Sequence, residues 1–303
     1  ILSLKKNGVN KIIGCDIYPY MWLPIATYVD TFYQVPLVCE KDIYLKKLIE
    51  IIDKEKISYI IPLIDTEVDF LSENRDIIES HNVIICIPND KTIKICRNKL
   101  TFYEFFKNDK KIKLIPTFEP LKFPLKYYNL PIIAKPQIGR SSEGCFIINT
   151  IDEFTMMKKA FKGYVFQPFF KGDIYTVDLV RDNKHDKSFA ISRKELIRTK
   201  NGAGTTIELS LNKYLNELTE YIGKKLQING CVNMEYIQKD NDFYLMDINP
   251  RFSAGISFSI LAGYDMVMNH IHCFTGKGIQ EPITYKTMIM VKKLTDEIIY
   301  IEQ

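Results

Sequence analysis

The first ninety residues alternate between short apolar runs and stretches of helical spacing. Residues 11–17 read as a short buried strand. Leu45, Leu48, Ile49 and Ile52 then recur at the three- and four-residue intervals of a helix over 43–54. The same alternation gives a strand at 57–63, a helix at 65–78 and a strand at 83–88. Strands that alternate with helices over this length indicate a parallel sheet of the α/β class. Leu2 and Leu4 sit like the end of a helix, so an earlier strand and turn are expected ahead of Ile1.

The rhythm changes after residue 90. Asn89-Asp90 opens a helix at 91–96, and a second follows at 99–107. Pro116, Pro120, Pro124 and Pro131 then mark an irregular connection without a helix. Strands are expected at 131–136, 146–148, 164–170, 175–180, 188–191 and 204–209. Helices are expected at 152–161, with Asp152 as N-cap, and at 213–226. With 303 residues, the chain can bury a large core and should form two or three domains or lobes.

The most informative run is Cys231 to Ser253. It reads as two strands joined at Asp240, Asn241 and Asp242, a polar turn suited to a hairpin. Strand side chains alternate, so Asn233 and Glu235 share one face, as do Asp247 and Asn249. Val232, Met234 and Tyr236, with Tyr244, Met246 and Ile248, are expected on the core face. Glu235 can oppose Asp247 only through an odd-numbered turn, such as a three-residue loop at 240–242, or through a bulge. Two carboxylates and an amide oxygen suit a hard cation such as magnesium, and Arg251 beside them suits an anion. A half-exposed hairpin with ordinary surface carboxylates is the alternative.

Gly139-Arg-Ser-Ser-Glu-Gly144 lies between two expected strands. Its glycines permit a tight turn, and its backbone N–H groups and hydroxyls can surround phosphate oxygens. It lacks the GKS/T ending of a Walker loop and the GxGxxG spacing, so a plain hairpin loop remains open. Lys135 leaves the preceding strand within reach. Gln167-Pro-Phe169 ends a strand as a flat apolar slot fit for an adenine, with Asp173 placed for ribose hydroxyls, or else it is a core strand ending in a turn. Arg193, Lys194 and Arg198 could meet anions, or dress an exposed strand edge. Residues 252–257 are expected to start a helix whose N-terminus attracts anions.

Net charge is +4 with short, scattered basic runs, too mild to imply nucleic acid. No apolar run approaches the roughly 20 residues of a membrane span. The seven cysteines show no CxxC pair, which favours reduced thiols in a cytoplasm. His270-Ile-His272-Cys273 has no distant partners and makes a poor zinc site.

Taken in order, Lys99, Lys135 before the glycine-serine loop, Gln167-Pro-Phe with Asp173, Glu235, and Asp247-Ile-Asn-Pro-Arg251 resemble the ATP-grasp superfamily. The likeness is to the carbamoyl-phosphate synthase and biotin carboxylase type, whose last metal-binding strand reads E-x-N-P-R. Asp247 stands here for the usual glutamate, and Asn98-Lys99 for a frequent Asp-Lys. Asp16-Ile-Tyr-Pro19, Val35-Pro36 and the run from Ile61 to Glu67 resemble the domain that precedes it, so the likeness spans nearly the whole chain. It implies a Rossmann-like α/β pre-ATP-grasp domain at 1–90 followed by a two-lobed α+β ATP-grasp domain at 91–303.

The resemblance also implies roles. Lys99 and Lys135 would contact ATP phosphates, under a lid of Ser141, Ser142 and Gly144. Gln167 and Phe169 would line the adenine pocket, with Asp173 at the ribose. Glu235, Asp247 and Asn249 would hold Mg2+, or Mn2+ in its place, and Arg251 with Asn249 would serve the acyl substrate. The implied reaction is ATP-dependent activation of a small-molecule carboxylate, then attack by an amine; a homodimer is compatible with it. A small-molecule kinase on the same fold and a non-catalytic nucleotide-binding module are the alternatives.

Overall fold

The computed structural model describes residues 1–139 and 143–296. At the N-terminus, α1 (Leu2–Lys6) leads into β1 (Ile13–Asp16), which pairs in parallel with β2 (Thr31–Gln34). There follow α2 (Lys41–Glu55), β3 (Tyr59–Ile60), α3 (Asp65–Glu73), α4 (Arg75–Glu79) and β4 (Ile84–Ile85). β3 and β4 form a second parallel pair. Tyr44, Ile51 and Ile52 of α2 pack on Val68, Phe70, Leu71, Ile78 and Ile85, the core that the helical spacing anticipates.

The strands here are shorter than their apolar runs. β1 is only partly buried, and Cys15 within it is exposed, so the expected buried strand is corrected to a half-covered one. The single helix expected at 65–78 is two helices. Asn74 breaks it at φ −112°, with its side-chain amide donating to the Phe70 carbonyl at 2.9 Å.

Helix α5 (Asp90–Arg97) belongs to both halves of the molecule: Ile93 joins the N-terminal core, whereas Ile95 and Cys96 join the larger one beyond. Asn98 then caps α6 (Lys99–Phe106), accepting from the N–H groups of Leu100 and Thr101 at 3.0 Å each. The proline-rich connection carries β5 (Lys113–Leu114) and two 3-10 turns, at Pro120–Lys122 and Leu125–Tyr127.

A small antiparallel sheet follows, built from β6 (Ile132–Pro136), β7 (Phe146–Ile148) and β8 (Tyr164–Pro168) in the order β7-β6-β8. Helix α7 (Ile151–Ala160) covers it through Phe154, which meets Ile132, Ile148 and Phe166. Its N-cap is Thr150, not Asp152. The Thr150 hydroxyl accepts from Glu153 N–H at 3.2 Å, and the Glu153 carboxylate accepts from Thr150 N–H at 3.1 Å.

The large sheet holds β9 (Asp173–Asp182), β10 (Lys187–Arg198), β11 (Gly204–Ser210), β12 (Gly230–Lys239), β13 (Asp242–Asn249) and β14 (Met288–Val291). Its order is β14-β11-β10-β9-β12-β13-β5, antiparallel except where β5 joins β13. Helix α8 (Lys213–Lys225), together with α5 and α6, buries one face, with Leu215, Leu218 and Ile222 against Val177, Leu179, Val232 and Met234. Each such side chain contributes about 1.5–3 kcal/mol. Helices α9 (Ile256–Leu261) and α10 (Met266–Thr275) lie between β13 and β14; α9 starts later than expected. His270 and His272 lie within α10, and buried His270 accepts from Cys231 N–H at 2.8 Å. Burial pushes its pKa down to about 4, so the ring is neutral and structural.

Candidate active site

The hairpin turn has two residues, not three. Lys239 pairs with Asp242, while Asp240 and Asn241 both adopt positive φ, at 51° and 70°. That is the backbone of a tight type I′ turn, for which Asp and Asn are among the few suitable side chains. A regular ladder from such a turn would put Met246 opposite Glu235. Instead the register shifts between Glu235 and Tyr236, so that Tyr236 pairs with Leu245 and Glu235 with Asp247. Met246 is the extra residue of a bulge. The shift also corrects the core face of β13: Phe243, Leu245 and Ile248 are buried, whereas Tyr244 and Met246 are only partly so.

The register aligns polar residues in rows across four strands. Arg193 of β10 pairs with Thr176 of β9, Thr176 with Glu235 of β12, and Glu235 with Asp247 of β13. One step along, Asp178 pairs with Asn233 and Asn233 with Asn249. These residues share one face because strand side chains alternate. A cavity of about 350 Å³ opens over it, lined by Lys99, Lys135, Glu235, Asp247, Asn249 and Arg251 among others. Six sequence-selected residues from four separate segments therefore meet in one place.

Each arrives by a definite route. Asn98 ends α5 and caps α6, which puts Lys99 at the first turn, where its N–H donates to the Gln137 carbonyl at 2.9 Å. Its ammonium stands 3.6 Å from Asp247. Lys135 enters from β6; burial, and then repulsion from Lys99, lower its pKa below the ordinary lysine range. Burial raises the pKa of Glu235, Asp247 raises it further, and Arg198 opposes both from 3.1 Å. Asn249 donates its amide N–H to Asn233 Oδ1 at 3.1 Å, and Asn233 donates to the Arg251 carbonyl at the same distance.

Arg251 pairs with neither Glu235 nor Asp247. Its Nε and Nη2 donate to Asp65 Oδ2 at 3.0 and 2.6 Å, and its Nη1 donates to the Phe252 carbonyl at 2.9 Å. Arg193 is no exposed edge cation, because β10 is an interior strand. It is buried and donates to Asp178, Ser253 and Glu195 at 2.6, 3.0 and 3.2 Å. Lys194 points elsewhere, onto Asp173 at 2.5 Å. Arg198 bridges Glu235 and the Gly202 carbonyl.

Other sequence-selected residues stand outside this cavity. Gln167 is buried and donates to the Thr117 hydroxyl at 2.8 Å, and Phe169 is 39% exposed at the end of β8. Asp173 is held by Lys194. Gly144 adopts φ +68°, where an added Cβ would come within 3.1 Å of Pro136 Cγ and Tyr164 Oη. Ser141 and Ser142 lie outside the described residues. Thr176, Glu195 and Asp65 line or brace the site without having been singled out. Thr176 and Asp178 were visible as polar alternations within the apolar strand Val177-Leu179-Val180.

Glu235, Asp247 and Asn249 offer hard oxygen donors, a fit to magnesium rather than to zinc. Among the described residues no cluster of three His, Cys, Asp or Glu forms a separate metal site.

Residues 160–297 match the family described as ATP-grasp in the biosynthetic pathway with Ter operon, and residues 3–86 match the PylC-like N-terminal domain. Residues 160–297 are thus an ATP-grasp segment. Over 216 residues it is 25% identical to the D-alanine–D-alanine ligase of Petrotoga mobilis, covering 60% of this chain and 70% of that protein. It is 25% identical to the tyramine–L-glutamate ligase of Methanocaldococcus jannaschii, covering 69% of this chain and 61% of that one. Biotin carboxylase from Campylobacter jejuni, solved as its beta-gamma-ATP complex, superposes with a TM-score of 0.74 over 93% of this chain and 68% of its own, at 17% identity. At that identity the likeness is one of fold, and no helix among the described residues is long and apolar enough to cross a membrane.

Proposed function

We propose that the chain is an ATP-dependent ligase that activates a small-molecule carboxylate for attack by an amine. The observation that carries this reading is the pairing of Glu235 with Asp247 on one sheet face, beneath a cavity that also receives Lys99, Lys135 and Arg251. Phosphoryl transfer needs positioning and charge neutralisation more than covalent help from the protein, and this site offers both. The two aligned relatives are ligases by name.

In this reading Lys99 and Lys135 hold the ATP phosphates. Lys99 can exchange its Asp247 contact for a phosphate oxygen, and an anion beside Lys135 would offset the burial that lowers its pKa. Glu235, Asp247 and Asn249 would hold Mg2+, with Mn2+ as a substitute; bound there it would neutralise phosphate charge. Gly144 would stand at the base of the phosphate cover, which would keep water from the activated acid. The adenine lies by the strand end at Phe169, with Asp173 near the ribose. Gln167 contributes there through its backbone, because its amide side chain is committed to Thr117. Arg251 binds the acid and keeps hold of it as an acyl phosphate forms. Seven unpaired cysteines, two of them exposed, suit a reducing cytoplasm.

The test is ADP release with ATP, Mg2+ and a panel of carboxylic acids, using hydroxylamine to trap any acyl phosphate. Acid-dependent hydroxamate supports the ligase. A phosphorylated product that resists hydroxylamine would identify a kinase instead, and ATP binding without turnover a nucleotide-binding module.

A further inference from the structure

Asp65 opens α3, far in sequence from the residues that line the cavity, yet it is only 2% exposed and its carboxylate is held from two sides. Arg251 donates twice to Oδ2, and Arg97 donates to Oδ1 at 3.1 Å. Arg97 lies two residues before Lys99, and Arg251 two residues after Asn249. One buried carboxylate from the N-terminal unit thus touches the segments that carry both ends of the site.

We propose that Asp65 is a positioning residue for the acyl substrate, holding the Arg251 guanidinium at the cavity wall so that an incoming carboxylate meets a preset donor group. The inference rests on the assignment of Arg251 to the acid. Two observations favour it over simple glue between the halves of the chain. Arg251 has its guanidinium plane fixed by three hydrogen bonds, to Asp65 and Phe252, yet it still lines the cavity. Adhesion is already supplied one turn along the same helix, where Asp69 accepts both Nε and Nη2 of Arg97 at 2.8 Å. A residue that acts through a ligand-binding neighbour typically costs about 10- to 100-fold when lost, as in metal sites.

The experiment compares Asp65→Asn, Asp65→Glu and Asp69→Asn in the full chain. Proteinogenic amino acids and dicarboxylic acids serve as acid probes, with ATP, Mg2+ and hydroxylamine, and kinetics are read for the acid turned over best. Asp65→Asn is expected to lower kcat/KM for the acid at least about tenfold, with KM for ATP within about twofold. Asp69→Asn should lower Tm while leaving the acid kinetics within about twofold. Because Asp65→Asn leaves two guanidinium groups short of a partner and can unfold the chain, Asp65→Glu provides the second arm. It keeps the charge and restores Tm, but displaces Arg251 by a methylene and still lowers kcat/KM. Unchanged acid kinetics in Asp65→Asn, or full kinetic rescue by Asp65→Glu, would overturn the inference alone. No acid-dependent ADP release from the unsubstituted chain would overturn the ligase reading, and the inference with it.

Discussion

Glu235 faces Asp247 across the β12–β13 ladder because Met246 is extruded from it. Without that extra residue the tight turn at Asp240-Asn241 would send Asp247 to the core face, into the packing of Leu245 and Phe243. A bulge next to a functional group is a common device for re-aiming a side chain. Asp247→Asn removes charge from this pair without altering the packing beneath. ADP release should fall by about a hundredfold or more, the scale of losing one electrostatic stabiliser, with Tm little changed. Retention of most magnesium-dependent turnover would show that Asp247 is not a ligand.

Glu235 gives a pH dependence whose sign follows from its environment. Burial holds its folded-state pKa above that of the unfolded chain. Its contribution to stability is therefore fully present below the unfolded value and is lost as pH rises through the folded one. Glu235→Gln should accordingly raise the Tm of the ligand-free chain near neutral pH and flatten its pH dependence, while abolishing the response to Mg2+. In the unsubstituted chain, magnesium competes with a proton on Glu235, so the Mg2+ concentration for half-maximal turnover should increase as pH falls toward the carboxylate range. A magnesium requirement independent of pH would contradict this.

Lys135 titrates in the opposite sense. Burial and the neighbouring Lys99 lower its pKa, so the ammonium is lost at a pH below the ordinary lysine value of about 10.4. ATP affinity should weaken as pH rises through that lowered value. In Lys99→Met the weakening should begin at higher pH, because one source of repulsion is gone. Equilibrium ATP binding between pH 7 and 10, for the two proteins side by side, checks both statements.

Gly144 sits where only glycine is comfortable. Its φ of +68° penalises any L side chain, and a Cβ would also press on Pro136 and Tyr164. Gly144→Ala should cost about 1–2 kcal/mol of stability and raise KM for ATP, because the loop base shifts against β6 and its Lys135. Chemical denaturation and initial-rate kinetics measure the two effects separately.

The alternation rule found the hairpin, its polar face and the α/β alternation of the N-terminal unit, because strand and helix periodicities are written into neighbouring residues. Asn233, Glu235, Asp247 and Asn249 were legible in that way. The choice between a three-residue turn and a bulge was not, since a one-residue slip leaves the composition of β13 unchanged and is settled by the core below it. Nor was the Arg251 partner: Asp65 lies 186 positions away, and no local pattern encodes a contact of that span. The same limit hid Thr117 as the partner of Gln167, fifty positions distant. β5 escaped because two residues carry no period.

Arg251→Lys separates substrate binding from charge alone. Lysine keeps the positive charge but is a single point donor, so it cannot reproduce the paired bonds to Asp65 and the bond to Phe252 together. ATP binding, here assigned to Lys99 and Lys135 as a proposal, should survive. Acid-dependent ADP release should fall by about a hundredfold, mostly in kcat, because the acid must be held while its oxygen attacks the phosphorus and again as the acyl phosphate meets the amine. An arginine that merely neutralised buried Asp65 would behave differently. Lysine would then satisfy the same carboxylate, the stability loss would be small, and ligation would stay near the unsubstituted rate. Hydroxamate formation in Arg251→Lys, set against ATP binding in the same preparation, decides between them.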